Sequence, residues 1–250
     1  MKKEKLTSKK LVTAAILGAI TVVLSLTPLG LIPLGLINAT TMHIPVIIAA
    51  IVEGPLVGAL VGLIFGISSL ANAIIRPNPV SFVFYNPLIS IIPRILIGIT
   101  SYYAYSALKG KDEKTLKVLT KVLWTLILLG LVFLLYRNIK TGASTLNIVL
   151  VVILLIITIG LLIYSQKTPT LDFPVAIGAF VGSMTNTILV LGGIYVIYAE
   201  KYVKAVNIPL ESAKSAILGV SITSGIPEAI LSVIPVSYTH LRAHETPEHL

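Results

Sequence analysis

The residues able to do chemistry are few, and they lie inside or at the ends of long apolar runs. Arg94 follows Pro93 in an apolar segment, Asn186 lies within Ser-Met-Thr-Asn-Thr, and Glu228 follows Pro227. Polar groups at such positions are costly to desolvate, so they line a cavity or a helix contact. Arg94 could hold an anionic group of a ligand, form a structural ion pair with Glu228, or extend towards water. Asn186 could bind ligand or could form an interhelical hydrogen bond. Glu228 could bind a ligand, a proton or Arg94.

A second set of polar residues lies in two predicted loops. The segment 72–87 contains three prolines, and its polar side chains could close over a small polar ligand. A plain re-entrant connection is the alternative. The loop between the first two predicted helices could complete the same pocket. Its single histidine could instead be hydrogen-bonded at an interface. The candidate ligand-binding residues of the two loops are Arg76, Asn78, Tyr85, Asn86, Asn38 and His43.

No catalytic or metal-binding motif accompanies these residues. The sequence lacks His-Glu-x-x-His and Gly-x-Ser-x-Gly, it contains no cysteine, and segment 109–115 lacks the spaced glycines of a phosphate-binding loop. We therefore predict that the protein is not an enzyme and that it has no cofactor or metal site. A transport function would need energy from an ion gradient or from a partner.

Composition places these residues in a membrane protein. Hydrophobic residues make up 56% of the 250 residues, charged residues only 12%, and mean hydropathy is +0.97. A soluble domain carries about 25% charged residues, so this chain cannot cover a water-facing surface. The net charge of +9 lies in short clusters between neutral runs, as in polytopic membrane proteins. We therefore exclude a soluble enzyme and a nucleic-acid partner.

Charge-free runs separated by loop signals predict eight helices. A spanning helix needs about 20 apolar residues, and the run from 11 to 52 is long enough for two. The second predicted helix is too short to cross unless it continues back into the Pro/Gly loop before it. The predicted helices are 11–27, 42–53, 55–71, 87–108, 118–136, 146–164, 174–199 and 212–235.

Loop charges predict the orientation. With the N-terminus in the cytoplasm, eleven lysines lie on the cytoplasmic side and six basic residues lie outside. We expect the first helix to be retained rather than cleaved as a signal peptide, because its apolar segment is long and no Ala-x-Ala site ends it.

Two segments differ from the rest of the chain. Residues 118–164 are rich in Leu, Ile and Val, which predicts a lipid-facing hairpin. From Ser237 the chain turns polar and holds three histidines. A histidine-rich tract could bind metal. However, this segment resembles a translated sequencing adapter, and we expect 237–250 to be non-native.

The chain resembles the substrate-binding (S) components of energy-coupling factor (ECF) transporters, the vitamin-uptake systems of prokaryotes. The resemblance covers about 11–108 and 174–235. The matching sequence motifs, in chain order, are Ala-Ala-Ile-Leu-Gly-Ala at 14–19, Met-His-Ile-Pro at 42–45, Glu-Gly-Pro at 53–55 followed by glycines at 58, 62 and 66, Pro-Arg-Ile-Leu-Ile-Gly at 93–98, Thr-Asn-Thr at 185–187, and Ser-Gly-Ile-Pro-Glu at 224–228.

The resemblance implies an all-α membrane protein with a six-helix core, into which this chain inserts one transmembrane hairpin. The implied division is a cytoplasmic basic N-terminus at 1–10, four core helices at 11–108, the inserted hairpin with its flanking loops at 109–173, and two core helices at 174–236. The family implies a plasma-membrane protein that binds a vitamin from outside. It also implies delivery of the vitamin with a membrane scaffold subunit and two ATPases.

The resemblance also bears on the ligand and on the docking surface. Two arginines and one aromatic cluster around 82–85 favour a small carboxylate such as pantothenate over a large flat ring. In this family a strip of small residues on the first helix docks onto the scaffold, although spacing alone fits an interior packing face as well. The residues of the strip are Ala14, Ala15, Gly18 and Ala19.

Two other classes of protein remain as alternatives. An ion-coupled secondary transporter would need an internal repeat, and a membrane-embedded enzyme would need a catalytic constellation. The sequence shows neither feature.

Overall fold

A computed structural model describes most of the chain, and the described part is almost entirely helical. The predicted all-α membrane fold is therefore confirmed. The predicted non-native tail, 237–250, lies outside the described residues. The described residues are 6–33, 38–140, 142, 145–167, 173–207, 209, 211, 213–220, 225–226, 228–233 and 235–236.

Long apolar helices dominate this part of the chain, and five of them have the length and composition to cross a membrane. These five are Ser8–Leu26, Pro55–Ile75, Pro87–Leu108, Lys114–Lys140 and Phe173–Ala205. The helices and strands are α1 (Ser8–Leu26), β1 (Leu31–Pro33), β2 (Asn38–Thr40), α2 (Ile44–Glu53), α3 (Pro55–Ile75), α4 (Pro87–Ser90), α5 (Ile92–Leu108), α6 (Glu113–Lys140), α7 (Thr145–Lys167), α8 (Phe173–Ala205) and α9 (Ala213–Val220). The described residues of 225–236 are helical as well, and we call them the C-terminal segment.

The short second helix does not continue back into the loop before it. Strands β1 and β2 form an antiparallel hairpin there, with Leu31 opposite Thr40 and Pro33 opposite Asn38. Helix α2 has 10 residues, which span about 15 Å at 1.5 Å per residue. Non-helical backbone at membrane depth requires burial in protein or a cavity to line. The hairpin therefore occupies the position where a longer helix would lie, and it brings backbone N–H groups towards the interior.

One predicted helix is interrupted in the structure. The helix predicted at 87–108 is divided at Ile91 into α4 and α5, and Pro93 lies in the first turn of α5. Proline supplies no N–H and has a fixed φ, so it is favoured at such a start. This break places Arg94 at the beginning of a helix, where its side chain reaches back along the chain. The described residues of the helix predicted at 212–235 lie in α9 and the C-terminal segment.

Helices α3 and α5 approach each other through glycines. A Cβ atom at Gly62 would overlap the backbone carbonyl of Arg94, and Gly58 lies directly against Gly98. In lipid, helix association relies on close packing, which small residues at every fourth position permit. The glycine face of α3 thus fixes the depth and rotation of the helix that carries Arg94.

Contacts between helix ends place the basic clusters at one end of the bundle. The hydroxyl of Thr13 donates to Glu53 at 3.2 Å, and Gly178 packs against Tyr105. The starts of α1 and α8 therefore lie beside the ends of α2 and α5, at what we call the lysine end. The opposite end, the hairpin end, carries β1–β2 and the loop 76–86. Which end faces the cytoplasm stays a prediction from the loop charges.

The pair α6–α7 is more than a lipid-facing addition. Trp124, Ile127 and Leu131 on α6 form a buried cluster with Ile230 of the C-terminal segment. Other side chains of the pair, such as Leu129, stay exposed. One face of the α6–α7 pair therefore packs against the C-terminal segment. Contact of its exposed side chains with lipid stays a prediction.

Candidate functional site

Arg94 lies at the centre of the candidate site, with its charge enclosed by apolar rings. The side chain is only 5% exposed. Its guanidinium carbon lies 5.3 Å from the centre of the Phe65 ring and 5.5 Å from that of Phe84, distances at which a cation is attracted to the ring face. Nη1 donates to the carbonyl of Ile89, while Nε has no partner. The guanidinium is therefore held in place with a donor still available.

His43 and Glu228 lie near Arg94, on two other elements. His43 precedes α2 and is 1% exposed. Neither of its ring nitrogens makes a hydrogen bond of good geometry. The imidazole is close enough to interact electrostatically with the Arg94 guanidinium and with the Thr40 backbone. Glu228, in the C-terminal segment, is 7% exposed and accepts a hydrogen bond from the Thr40 backbone N–H at 2.8 Å. The opposite charges of Arg94 and Glu228 act on each other. The β-hairpin, α2, α5 and the C-terminal segment thus meet around one buried charge cluster.

Helix α8 adds uncharged polar groups from the other side. Asn186 and Ser183 face the interior, as does Ser101 of α5, which packs against Gly182. The side-chain oxygens of Asn186, Ser183 and Ser101 have no hydrogen-bond partner. Asn186 stands out in the sequence because it interrupts an apolar run. The two serines and Phe65 do not stand out, since small hydroxyl residues and aromatic rings are common in membrane helices.

The unpartnered atoms indicate a place for a ligand. A buried polar group left without a hydrogen bond costs about 1–3 kcal/mol, and most such groups in folded proteins are satisfied. The unpartnered atoms of this cluster belong to Arg94, His43, Asn186, Ser183 and Ser101. They include donors and acceptors, and the Arg94 guanidinium adds a positive charge to them. Such a set matches a small molecule that carries an anionic group together with hydroxyl or amide groups.

The polar residues predicted in the 72–87 loop serve mainly to build that loop. The exposed Arg76 donates to the carbonyl of Leu26 at 3.2 Å. The side chain of Asn78 accepts from the Val80 N–H at 3.0 Å. Asn86 caps α4 through the Leu88 N–H and reaches the Tyr198 hydroxyl at 3.5 Å, and Tyr85 is 47% exposed. The backbone of Asn38 pairs in β2, whereas its side chain lies outside the described part of the structure. Among the loop residues whose side chains the structure describes, His43 is the one that joins the buried cluster.

The apolar side chains of the same loop face the bundle. Val83 of the loop and Ile89 of α4 are buried against Val190 and Ile194 of α8. Phe84 of the loop covers the Arg94 guanidinium. The loop therefore covers the charge cluster with its apolar face. The role of this loop as a lid over a ligand stays a prediction, and its contact with the Arg94 guanidinium is made by Phe84 rather than by its polar residues.

The strip of small residues on α1 is divided between two faces. Ala14 is 6% exposed, and Gly18 packs so closely on Ile64 that a Cβ atom would meet Ile64 Cδ1 at 2.5 Å. Ala15 and Ala19 are exposed on the outer face of the helix. The first pair belongs to internal packing, so a docking role can involve only the second pair.

Comparison with known proteins agrees with this architecture. The family model described as "ECF transporter, substrate-specific component" matches residues 9–146, which is more than half of the chain. The pantothenic acid transporter PanT of Lactococcus lactis subsp. cremoris (strain MG1363) is 33% identical over 111 residues, with 34% of this chain and 57% of that protein covered. The chain thus aligns with little more than half the length of this relative. The predicted resemblance is confirmed: the chain belongs to the family of substrate-specific components of ECF transporters.

Proposed function

We propose that this protein captures pantothenate, or a closely related small carboxylate, in the cluster around Arg94. The observation that carries the proposal is a buried guanidinium, caged by two aromatic rings, with Nε unpartnered. A relative named for pantothenic acid transport supports the choice of ligand. A charge-assisted pair between Arg94 and the ligand carboxylate would supply the main polar contact.

The remaining polar groups fit the rest of such a ligand. Pantothenate carries an amide and two hydroxyl groups besides its carboxylate. The unpartnered oxygens of Asn186, Ser183 and Ser101 can accept hydrogen bonds from N–H and O–H groups. We therefore assign Arg94 to the acidic end of the ligand and the groups on α8 and α5 to its neutral end.

We further propose that the protein works as the membrane subunit of an importer driven by partner ATPases. Its own sequence lacks a phosphate-binding loop, so ATP hydrolysis would belong to two ATPase subunits reached through a membrane scaffold. The exposed Ala15 and Ala19 are the proposed contact with that scaffold. The division into a six-helix core and an inserted α6–α7 hairpin stays a prediction, since the family match itself runs through α6.

We expect the lysine end of the bundle to face the cytoplasm, with the site opening from the hairpin end. The sequence has no cysteine, so single cysteines can be introduced without background. A cysteine at Lys140 is expected to react with an impermeant maleimide added outside intact cells, and one at Lys111 only after lysis. Labelling of Lys140→Cys only from the cytoplasm would overturn this orientation.

The proposed ligand can be tested with a matched pair of compounds. Pantothenol is pantothenate with the carboxylate replaced by a neutral hydroxymethyl group. The isolated protein is expected to bind pantothenate at least about 30-fold more tightly, because a charge-assisted contact to a buried group is worth 2 kcal/mol or more. Isothermal titration calorimetry measures both affinities. Equal affinities, or tighter binding of an uncharged vitamin from a control panel, would contradict the assignment of Arg94 to a carboxylate.

A further inference from the structure

The site that would receive an anionic ligand already has its fixed charges balanced. Arg94 and Glu228 are both buried, and the Glu228 carboxylate accepts the Thr40 N–H, a hydrogen bond that favours its ionised form. With both groups ionised, Arg94 contributes one positive charge and Glu228 one negative charge. His43 lies beside the guanidinium without a hydrogen-bond partner, and in its uncharged form it adds nothing. A ligand carboxylate would therefore bring the buried cluster to a net charge of −1. This inference rests on the proposed function, because it takes the ligand to be a carboxylate.

Nothing else in the described part of the chain can balance that charge. Helix α3 offers the Phe65 ring, α1 the hydroxyls of Thr21 and Ser25, and the β-hairpin the Thr40 N–H, which is already used by Glu228. Helix α8 offers Asn186 and Ser183. The other buried or half-buried titratable groups include Glu53, which accepts from Thr13 at the lysine end. They also include the phenols of Tyr102 and Tyr105 on α5 and of Tyr198 and Tyr202 on α8.

The ligand carboxylate and Glu228 would compete for one guanidinium. Two carboxylates and one arginine in a poorly polarisable interior leave one negative charge unpaired, which is strongly unfavourable. A proton removes this charge with the least rearrangement, because Glu228 and both ring nitrogens of His43 can accept one. A metal cation would instead need several oxygen ligands around it. The cluster supplies one carboxylate and unpartnered nitrogens.

We propose that each carboxylate ligand binds together with one proton taken from solvent, which is held by Glu228 or His43. The proton joins a carboxylate oxygen or a ring nitrogen, so the cluster stays neutral when the ligand enters. The protein would thus recognise the ligand and a proton as one neutral pair, and binding would weaken as the proton concentration falls.

The proton can be counted by calorimetry. Pantothenate binding is measured from about pH 5.5 to 9, where the ligand carboxylate is ionised, in buffers of different ionisation enthalpy. We expect an uptake approaching one proton per ligand and a Kd that rises with pH, by up to about tenfold per unit where uptake is complete. Neutral pantothenol should show neither effect. A pantothenate Kd that is flat over this range, or one that depends on Na⁺ in place of pH, would overturn the proposal.

One substitution removes the need for the proton. Glu228→Gln keeps an oxygen that can accept from the Thr40 N–H but leaves Arg94 unbalanced, so the ligand carboxylate itself restores neutrality. We expect pantothenate to bind this variant with no proton uptake and a flat pH profile. Glu200→Gln is the matched control, since Glu200 pairs with Lys204 on the surface, and it should keep the wild-type profile. Proton uptake unchanged in a folded Glu228→Gln protein would contradict the charge balance. Absence of pantothenate binding to wild type at every pH would instead remove the proposed function itself.

Discussion

Replacing Arg94 with alanine should weaken pantothenate binding by about 2–5 kcal/mol, which is roughly 30- to 4000-fold. The truncation leaves the ligand carboxylate buried beside Phe65 and Phe84 with no cation to meet it. Most of the loss is the cost of an unpaired buried charge. Calorimetry on the isolated protein measures the change. Pantothenol, which has no carboxylate, should lose far less affinity for the same variant.

Two further substitutions show whether the effect belongs to this arginine. Arg94→Lys keeps the charge but loses the planar fork and its stacking between rings, so we expect an intermediate loss. Arg76→Ala removes an exposed arginine that donates to the Leu26 carbonyl, and it should leave the affinity within about threefold. A folded Arg94→Ala protein with unchanged affinity would reassign Arg94 to a structural role with Glu228.

A double substitution of Ala15 and Ala19 by tryptophan should abolish uptake while leaving ligand binding intact. Both residues are exposed on α1, one turn apart, and two indole rings would keep a partner helix from approaching. The ligand cluster is formed by other elements, so the isolated protein should bind pantothenate as wild type does. Uptake is measured in cells that also express the scaffold and ATPase subunits.

The control for this experiment is a tryptophan on another membrane-facing surface. Val196 on α8 is 81% exposed, so Val196→Trp adds an indole ring away from α1 and should leave uptake unchanged. Loss of binding and uptake together in the double variant would indicate internal packing, and normal uptake would exclude the strip from partner contact. Ala14 and Gly18 are unsuitable for the test, because they already pack inside the bundle.

The sequence predicted most of the helices because burial in lipid demands long apolar runs, and such runs are visible without a structure. It also identified Arg94, Glu228 and Asn186, since a polar residue within an apolar run stands out. It did not predict the β-hairpin before α2: prolines and glycines mark a break in a helix but do not say what the chain does there. The pairing of Leu31 with Thr40 depends on residues beyond the local pattern.

The sequence also did not predict the direction in which each loop side chain faces. Arg76, Asn78 and Asn86 have the donors that a ligand would need, yet short-range hydrogen bonds within the loop use them. Phe84 reaches Arg94 because the loop lays its apolar side on α8, a tertiary contact with no signature in the segment itself. The sequence likewise did not show which residues of the α1 strip face outwards, since small residues serve internal packing and docking equally well.

We propose that this membrane subunit holds a small carboxylate in a buried, charge-balanced site. The most direct test is the identity of whatever small molecule leaves the purified protein when it is denatured, determined by mass spectrometry after expression in vitamin-containing medium. We expect pantothenate in up to equimolar amount, and no pantothenate from Arg94→Ala prepared in the same way. Release of an uncharged or cationic vitamin from the wild-type protein would contradict the assignment of Arg94 to a ligand carboxylate.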